Sequence, residues 1–318
     1  MFTDVVEYLK EYFEVRVNEG PKFTSAGLKE ALGEMTGVML AGGEKIDAEL
    51  LQGLKGLRAI CVSAAGFNNL DVDAITQAGI IATNSPGPAD DTVADFAWGS
   101  MIAIARRLAE AEHWVSDGHW KGSAGSRFFG TDIYGKTLGI IGMGRIGRAI
   151  ARRAIGFRMR TLYHNRRQLD SLLEEESQAS FVTKKQLLTE SDFIVLALPY
   201  SKDNHHVIGP GDLSQMKPSA FLVNIARGGL IDEAALADAL KNNQIAGAAL
   251  DVFEKEPVIY EGLTGLSNVI LTPHIAGATE KAQHGLAMMA AENLVAALGQ
   301  GPRAGRPAAI LNPEVLKK

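Results

Sequence analysis

The sequence predicts an α/β protein built as two parallel-sheet domains, and three observations predict it. Short apolar runs alternate with helical spacing along nearly all of the 318 residues, the pattern of repeated βα units. One such run, 138–141, leads directly into Gly142-x-Gly144-x-x-Gly147 and then a helix-forming stretch. A last helical segment, 282–298, follows the final strand of the second domain and returns the chain to the first, an arrangement that leaves a cleft between two lobes.

Taken in order, 14–17, Gly37–Leu40, Ala59–Val62 and 80–83 read as buried parallel strands. Between them, Ser25–Leu32 and 47–54 carry helical spacing, and 71–78 opens on an aspartate cap. A long helix is expected from Thr92 to about Gly118, with Trp98, Ile102, Ala105 and Leu108 along one face. The second domain follows, with strands at 138–141, Arg160–His164, 192–198, 220–224, 246–250 and Val269–Leu271 and a helix at 148–154 behind the glycines. The division expected from this order is 1–98, 99–282 and a returning segment, 283–318.

Composition excludes several classes. The length allows a large core, and the net charge of −5 without a long basic run argues against a nucleic-acid surface. The single cysteine, Cys61, rules out an internal disulfide and suits a reducing cytoplasm. The N-terminal stretch has early acids and no apolar core of signal-peptide type, and the longest apolar run, 96–105, is far too short for a bilayer. Adjacent His205 and His206 lack partners at metal-ligand spacing, so no metal is expected and they read as solvated loop. Glu174 to Glu176 read as a solvated helix end. Trp114 and Trp120 suit either a dimer interface or substrate contact.

The glycine motif describes a phosphate site. Gly142 makes the tight turn, Gly144 lets backbone approach a pyrophosphate, and Gly147 lets helix and strand pack closely, with a helix N-terminus supplying free N–H groups. This predicts a Rossmann-type, doubly wound parallel domain that binds a dinucleotide, beside a smaller flavodoxin-like α/β domain. At the end of the next strand an NAD site places an acid for the adenosine 2′-hydroxyl. Here Asn165, Arg166 and Arg167 stand there. No carboxylate would repel a phosphate, and two guanidiniums can hold one. NADPH is therefore expected ahead of NADH, the bland alternative being two solvated arginines.

Three strand ends carry unusual charge: Arg227 after 220–224, Asp251 and Glu256 after 246–250, and His274 after Val269–Leu271. Ligands of open parallel sheets sit at the carboxyl ends of strands. Each residue alone has an ordinary reading, a cap, a solvated acid or a histidine on a carbonyl. Together they meet the demands of hydride transfer to a 2-keto acid. Arg227 offers a fork of donors to the carboxylate and keto oxygen, and His274 is of the residue type that gives a proton near neutrality. Glu256 would orient the imidazole and hold it protonated.

These motifs, GMGRIG at 142–147, ARGG at 226–229, DVFEKEP at 251–257 and TPHIAGAT at 272–279, resemble those of the D-isomer-specific 2-hydroxyacid dehydrogenases, in order and over nearly the whole chain. The resemblance implies that Arg227, Glu256 and His274 are the catalytic trio. It also implies that Thr92, Arg145, Ile146, Leu198, Pro199, Ile225, Asp251 and Gly277 line the cofactor, Asp251 facing the nicotinamide amide. Ala65 and Gly66 match the loop whose N–H groups hold the substrate carboxylate. The parts 1–98 and 283–318 then form the substrate domain and 99–282 the dinucleotide domain.

The segment 130–139 and the arginine pair look most like the glyoxylate/hydroxypyruvate reductase B and 2-ketogluconate reductase branch. That branch implies a cytoplasmic homodimer reducing glyoxylate, hydroxypyruvate or 2-ketogluconate with NADPH. An NADH-linked enzyme of phosphoglycerate or D-lactate type and a dinucleotide-sensing scaffold are the alternatives. Three positions depart from the family pattern. The chain opens inside the first helix without the usual preceding strand, Ala65 replaces a bulkier valine, and Gln283 stands where many relatives carry arginine.

Overall fold

The computed structural model describes residues 2–317. Met1 and Lys318 lie outside the described residues, and with them the two ends of the sequence reading. The chain divides into two compact units, one running to Ala89 and resuming at Ala278, the other Asp90–Gly277. The breaks read from sequence, after 98 and 282, fall inside the helices Asp90–Ala105 and Glu280–Ala297. A helix moves as one body, so each unit changes over just before a helix begins.

The first unit holds a three-stranded parallel sheet of β1 (Gly37–Leu40), β2 (Ala59–Val62) and β3 (Ile81–Thr83), in that order. Side chains alternate across it, as a strand requires. Ile60 and Val62 enter one core with Leu28, Leu50 and Ile75, while Ala59 and Cys61 enter another with Ala290, Ala291 and Leu294 of the helix Glu280–Ala297. The segment expected as a strand at 14–17 is irregular instead. Its residues are mostly exposed and it pairs with no strand edge, so its short alternation of Val15 and Val17 had no sheet to join. The helix expected at 47–54 is only Ala48–Leu51, capped by Asp47 through the Leu50 N–H at 3.0 Å. Gln52 already leaves the helical region and Gly53 takes a positive φ.

The second unit contains β4 (Thr137–Ile141), β5 (Arg160–His164), β6 (Ala179–Phe181), β7 (Phe193–Leu196), β8 (Phe221–Asn224), β9 (Gly247–Leu250) and β10 (Val269–Leu271). They form one sheet in the order β10-β9-β8-β7-β4-β5-β6, every pair parallel. The winding leaves β4 in both directions, so the predicted doubly wound parallel architecture is present. The strand order reverses between β4 and β7, the place where such sheets gather ligands at their carboxyl edge. β7, β8 and β9 are buried on both faces, which is why their sequences read as continuous apolar runs. β6 escaped the sequence reading because Ala179-Ser-Phe is a short edge segment, two-thirds exposed, with no alternation to detect.

The single helix expected from Thr92 to Gly118 is two helices, Asp90–Ala105 and Leu108–Ser116. Arg107 takes a left-handed φ of 55°, and the Ala105 carbonyl accepts from the Thr131 N–H at 2.8 Å. A crossing chain thus takes the carbonyl that a continuing helix would have used. Leu108 is consequently 52% exposed, off the line of the buried Trp98 and Ala105. The first of the two helices packs on Arg145–Ala154. Trp98 donates from Nε1 to the Ile150 carbonyl at 3.1 Å, and Arg153 bridges Asp91 and Asp95.

Among the described residues no helix is long and apolar enough to cross a membrane.

Candidate active site

The glycine turn lies between β4 and the helix Arg145–Ala154. Gly142 has φ 102°, and a Cβ there would stand 2.6 Å from the Leu198 nitrogen. A side chain is therefore excluded twice, by backbone angle and by the loop after β7. At Gly147 a Cβ would fall 2.3 Å from the Gly142 carbonyl oxygen, so helix and turn touch directly. Gly144 differs: nothing lies within 4 Å of a Cβ built there. Open space thus faces the start of the helix, whose first-turn N–H groups of Arg145, Ile146 and Gly147 have no intrahelical acceptors. The turn has the form and the donors of a pyrophosphate cradle, and the residues present fit a dinucleotide. Arg145 does not extend alone over it, because its Nε donates to Asp90 at 2.6 Å.

After β5 the three residues read as a ribose site separate into two groups. Asn165 turns inward, its Oδ1 accepting from the Met143 N–H at 2.7 Å, and so braces the glycine turn. Arg166 and Arg167 are exposed, and among the described residues neither has an ion-pair or hydrogen-bond partner in the chain. Glu174 is no mere solvated helix end. It accepts from the Tyr163 hydroxyl at 2.5 Å and from Gln168 Nε2 at 3.0 Å.

Arg227, Glu256 and His274 come from the loops that follow the adjacent strands β8, β9 and β10, all at the carboxyl edge. His274 Nδ1 lies 2.8 Å from Glu256 Oε2, while Glu256 Oε1 accepts from the Phe253 N–H at 3.0 Å. With Nδ1 engaged, Nε2 is the nitrogen left to meet a ligand. Burial presses the Arg227 guanidinium pKa down and the nearby Glu256 charge opposes it; an arginine stays cationic through such a shift. Nη1 of Arg227 also donates to the Ala226 carbonyl at 2.6 Å. The three side chains thus share one electrostatic neighbourhood.

Asp251, immediately after β9, is 1% exposed and organises this edge. Its Oδ1 accepts from Thr272 Oγ1 at 2.7 Å and the Ile275 N–H at 2.9 Å, and its Oδ2 from the Ala276 N–H at 2.8 Å. Three bonds to the Asp251 carboxylate among the described residues thus tie it to the segment 272–276. Thr272 is a residue that sequence reading did not single out, although it opens the TPH motif. So is the pair Glu233 and Glu254, which exchange backbone-to-carboxylate bonds at 2.8 and 3.3 Å. His206 joins them, 3.1 Å from Glu254, and is not the freely solvated loop residue expected.

Thr92 lies in the first turn of Asp90–Ala105, Leu198 and Pro199 follow β7, Ile225 is buried after β8, and Gly277 ends the unit. In the first unit, Ala65 and Gly66 follow β2 at the carboxyl edge of its sheet. Ala65 accepts from Asn84 Nδ2 at 2.6 Å, and among the described residues neither the Ala65 nor the Gly66 N–H donates to a backbone carbonyl. Among the described residues no group of His, Cys, Asp or Glu is placed to hold a metal.

A family model described as "D-isomer specific 2-hydroxyacid dehydrogenase, NAD binding domain" matches residues 98–276, more than half of the chain. The chain belongs to the D-isomer-specific 2-hydroxyacid dehydrogenases. Its relatives in that family include a glyoxylate reductase of Thermococcus gammatolerans, 44% identical over 98% of this chain and 93% of that protein. A glyoxylate/hydroxypyruvate reductase B of Pectobacterium atrosepticum is 40% identical over the full length of both. Among solved structures, an NADPH-dependent glyoxylate/hydroxypyruvate reductase of Sinorhizobium meliloti, in complex with NADP and malonate, superposes with a TM-score of 0.85. It is 30% identical and covers 96% of this chain and 92% of that one. As a D-2-hydroxyacid dehydrogenase, the protein is an oxidoreductase with an NAD(P)-binding domain, and the predicted family is the one found.

Proposed function

We propose that the protein uses NADPH to reduce glyoxylate to glycolate and hydroxypyruvate to D-glycerate. The observation that carries the reading is the 2.8 Å pair of His274 and Glu256 beside Arg227, on the same sheet edge as the glycine turn. In the assigned roles, Arg227 binds the carboxylate and keto oxygen of the substrate, charge to charge. His274 gives the proton from Nε2 to the keto oxygen as the carbonyl carbon is reduced, and Glu256 holds the imidazole in its tautomer. The N–H groups of Ala65 and Gly66 are the further donors we assign to the substrate carboxylate. A bound reduced nicotinamide supplies the hydride. Asp251 is assigned to the nicotinamide amide, and Thr92, Arg145, Ile146, Leu198, Pro199, Ile225 and Gly277 to the cofactor walls.

Support for NADPH comes from the loop after β5. No carboxylate stands there, Asn165 is occupied with the glycine turn, and Arg166 and Arg167 are exposed and unpaired among the described residues. That a structural relative is described as NADPH-dependent agrees with this assignment. We assign 2-ketogluconate as a further substrate to be assayed beside the smaller acids, because Ala65 leaves more room than a valine.

We also infer a homodimer. The segment 108–134 carries exposed Leu108, Val115, Trp120 and Phe129, an apolar surface that a second copy would cover. We assign a reducing cytoplasmic location, with which a single free cysteine, Cys61, agrees.

The test is stereochemical. Purified protein given hydroxypyruvate and NADPH should consume nicotinamide absorbance and yield the D-acid on chiral chromatography. An L product, or no turnover with either small acid, would overturn the reading.

A further inference from the structure

We propose that Tyr163 and Glu174 are positioning residues for 2′-phosphate discrimination, because together they fasten the turn that presents Arg166 and Arg167. The inference rests on the NADPH reading above and deepens it. Tyr163 is the fully buried fourth residue of β5. Its hydroxyl accepts from the Leu169 N–H at 2.9 Å and donates to Glu174 Oε1 at 2.5 Å. Burial, and then the Glu174 carboxylate, push the phenol up to about 12, so it remains a donor at any working pH. Gln168 Nε2 donates to both oxygens of Glu174 at 3.0 Å.

The other end of the same turn is tied by Asn165, whose Oδ1 accepts from the Met143 N–H of the glycine loop. Arg166 and Arg167 therefore lie between two anchored points, while their side chains stay exposed and unpaired among the described residues. A cation pair on a slack loop must be ordered each time a phosphate binds, and a loop already fixed avoids that cost. The Tyr163 ring belongs to the core, but its partner at the far end of the turn does not: Glu174 is part-buried, and the helix Ser171–Ser177 buries only Ser177. What this anchor fixes is the path of two guanidiniums.

Adenosine 2′,5′-bisphosphate and 5′-AMP differ by the 2′-phosphate alone and are the probes. Their affinities are measured by calorimetry on wild type, Tyr163→Phe, Glu174→Ala, Glu174→Gln and the double variant Arg166→Ala/Arg167→Ala. We expect Tyr163→Phe and Glu174→Ala to weaken the bisphosphate roughly tenfold, as for a charge-assisted contact made less often, with 5′-AMP held within about twofold. Glu174→Gln keeps an acceptor oxygen for the phenol and should recover most of the loss. Equal weakening of both probes, or none, in the Tyr163 and Glu174 variants overturns the proposal. If the arginine double variant also fails to separate the probes, the NADPH reading falls first and takes the proposal with it. If the double variant separates them and the anchoring variants do not, the proposal falls alone.

Discussion

Oε2 of Glu256 reaches Nδ1 of His274 at 2.8 Å across eighteen residues of chain, and His274 has a left-handed φ of 55° with its N–H donating to the Asp251 carbonyl at 2.9 Å. Few non-glycine residues sit there without a reason. The pair is partly exposed, with side-chain exposures of 35% and 48%, so it contributes little to stability. Its value lies in direction: it turns one nitrogen of the ring away from Glu256. Replacing Glu256 with glutamine keeps the size of the side chain but removes the charge. We expect turnover of glyoxylate to fall about 10²-fold with NADPH affinity retained. Steady-state kinetics with a fluorescence titration of the cofactor checks both halves, and an unchanged turnover would remove Glu256 from the mechanism.

Asp251 holds the loop on which His274 rides. Three donors from 272–276 converge on its carboxylate, and truncation strands the buried Ala276 N–H and takes this partner from the part-buried Thr272 hydroxyl and the Ile275 N–H. An unsatisfied buried donor costs about 1–3 kcal/mol, so Asp251→Ala should lose at least ~1 kcal/mol in urea denaturation. Asp251→Asn, which retains one acceptor oxygen, should lose less. Equal stability of all three proteins would contradict the assigned hub.

Removing Arg166 and Arg167 together should lower kcat/KM for NADPH by roughly 10–100-fold, the range of one or two charge-assisted contacts. NADH should be nearly untouched. Initial rates with both cofactors decide, and an equal loss for the two would defeat the phosphate assignment.

Burial holds the Glu233 carboxyl above the usual glutamate range, and the neighbouring Glu254 charge adds to this, against the opposing N–H groups of Glu254 and Tyr260. The folded state therefore keeps this proton to higher pH than the unfolded chain does. The group stabilises the fold below the ordinary glutamate range and loses that contribution as pH rises through its raised value. Glu233→Gln, whose oxygen can still accept from the Glu254 N–H, should match wild type in acid and equal or exceed it at neutral pH. Denaturation midpoints of both proteins across that interval test the sign, and a variant that is less stable than wild type at neutral pH would reverse it.

Much of this was legible in sequence because the signals were local. The Gly142, Gly144 and Gly147 spacing fixes a turn through backbone sterics, and β7, β8 and β9 announce themselves as unbroken apolar runs. That Arg227, Glu256 and His274 share one sheet edge could be read because each follows a strand by a few residues, and parallel strands bring those loops together. What sequence could not show were events decided by distant partners. The Ala105 carbonyl is taken by Thr131, which splits a helix that periodicity reads as one. Glu174 looks like one of three solvated acids until the Tyr163 hydroxyl arrives from β5. Asn165 reads as a ribose contact, yet its partner is Met143, on a turn that precedes it by a whole βα unit.

The most direct measurement is the rate of NADPH oxidation by His274→Ala with saturating glyoxylate, beside wild type, after calorimetry has established that the variant still binds NADPH. We expect a rate at least about 10²-fold lower with cofactor affinity within twofold. A variant that binds NADPH normally and keeps most of its turnover would contradict it.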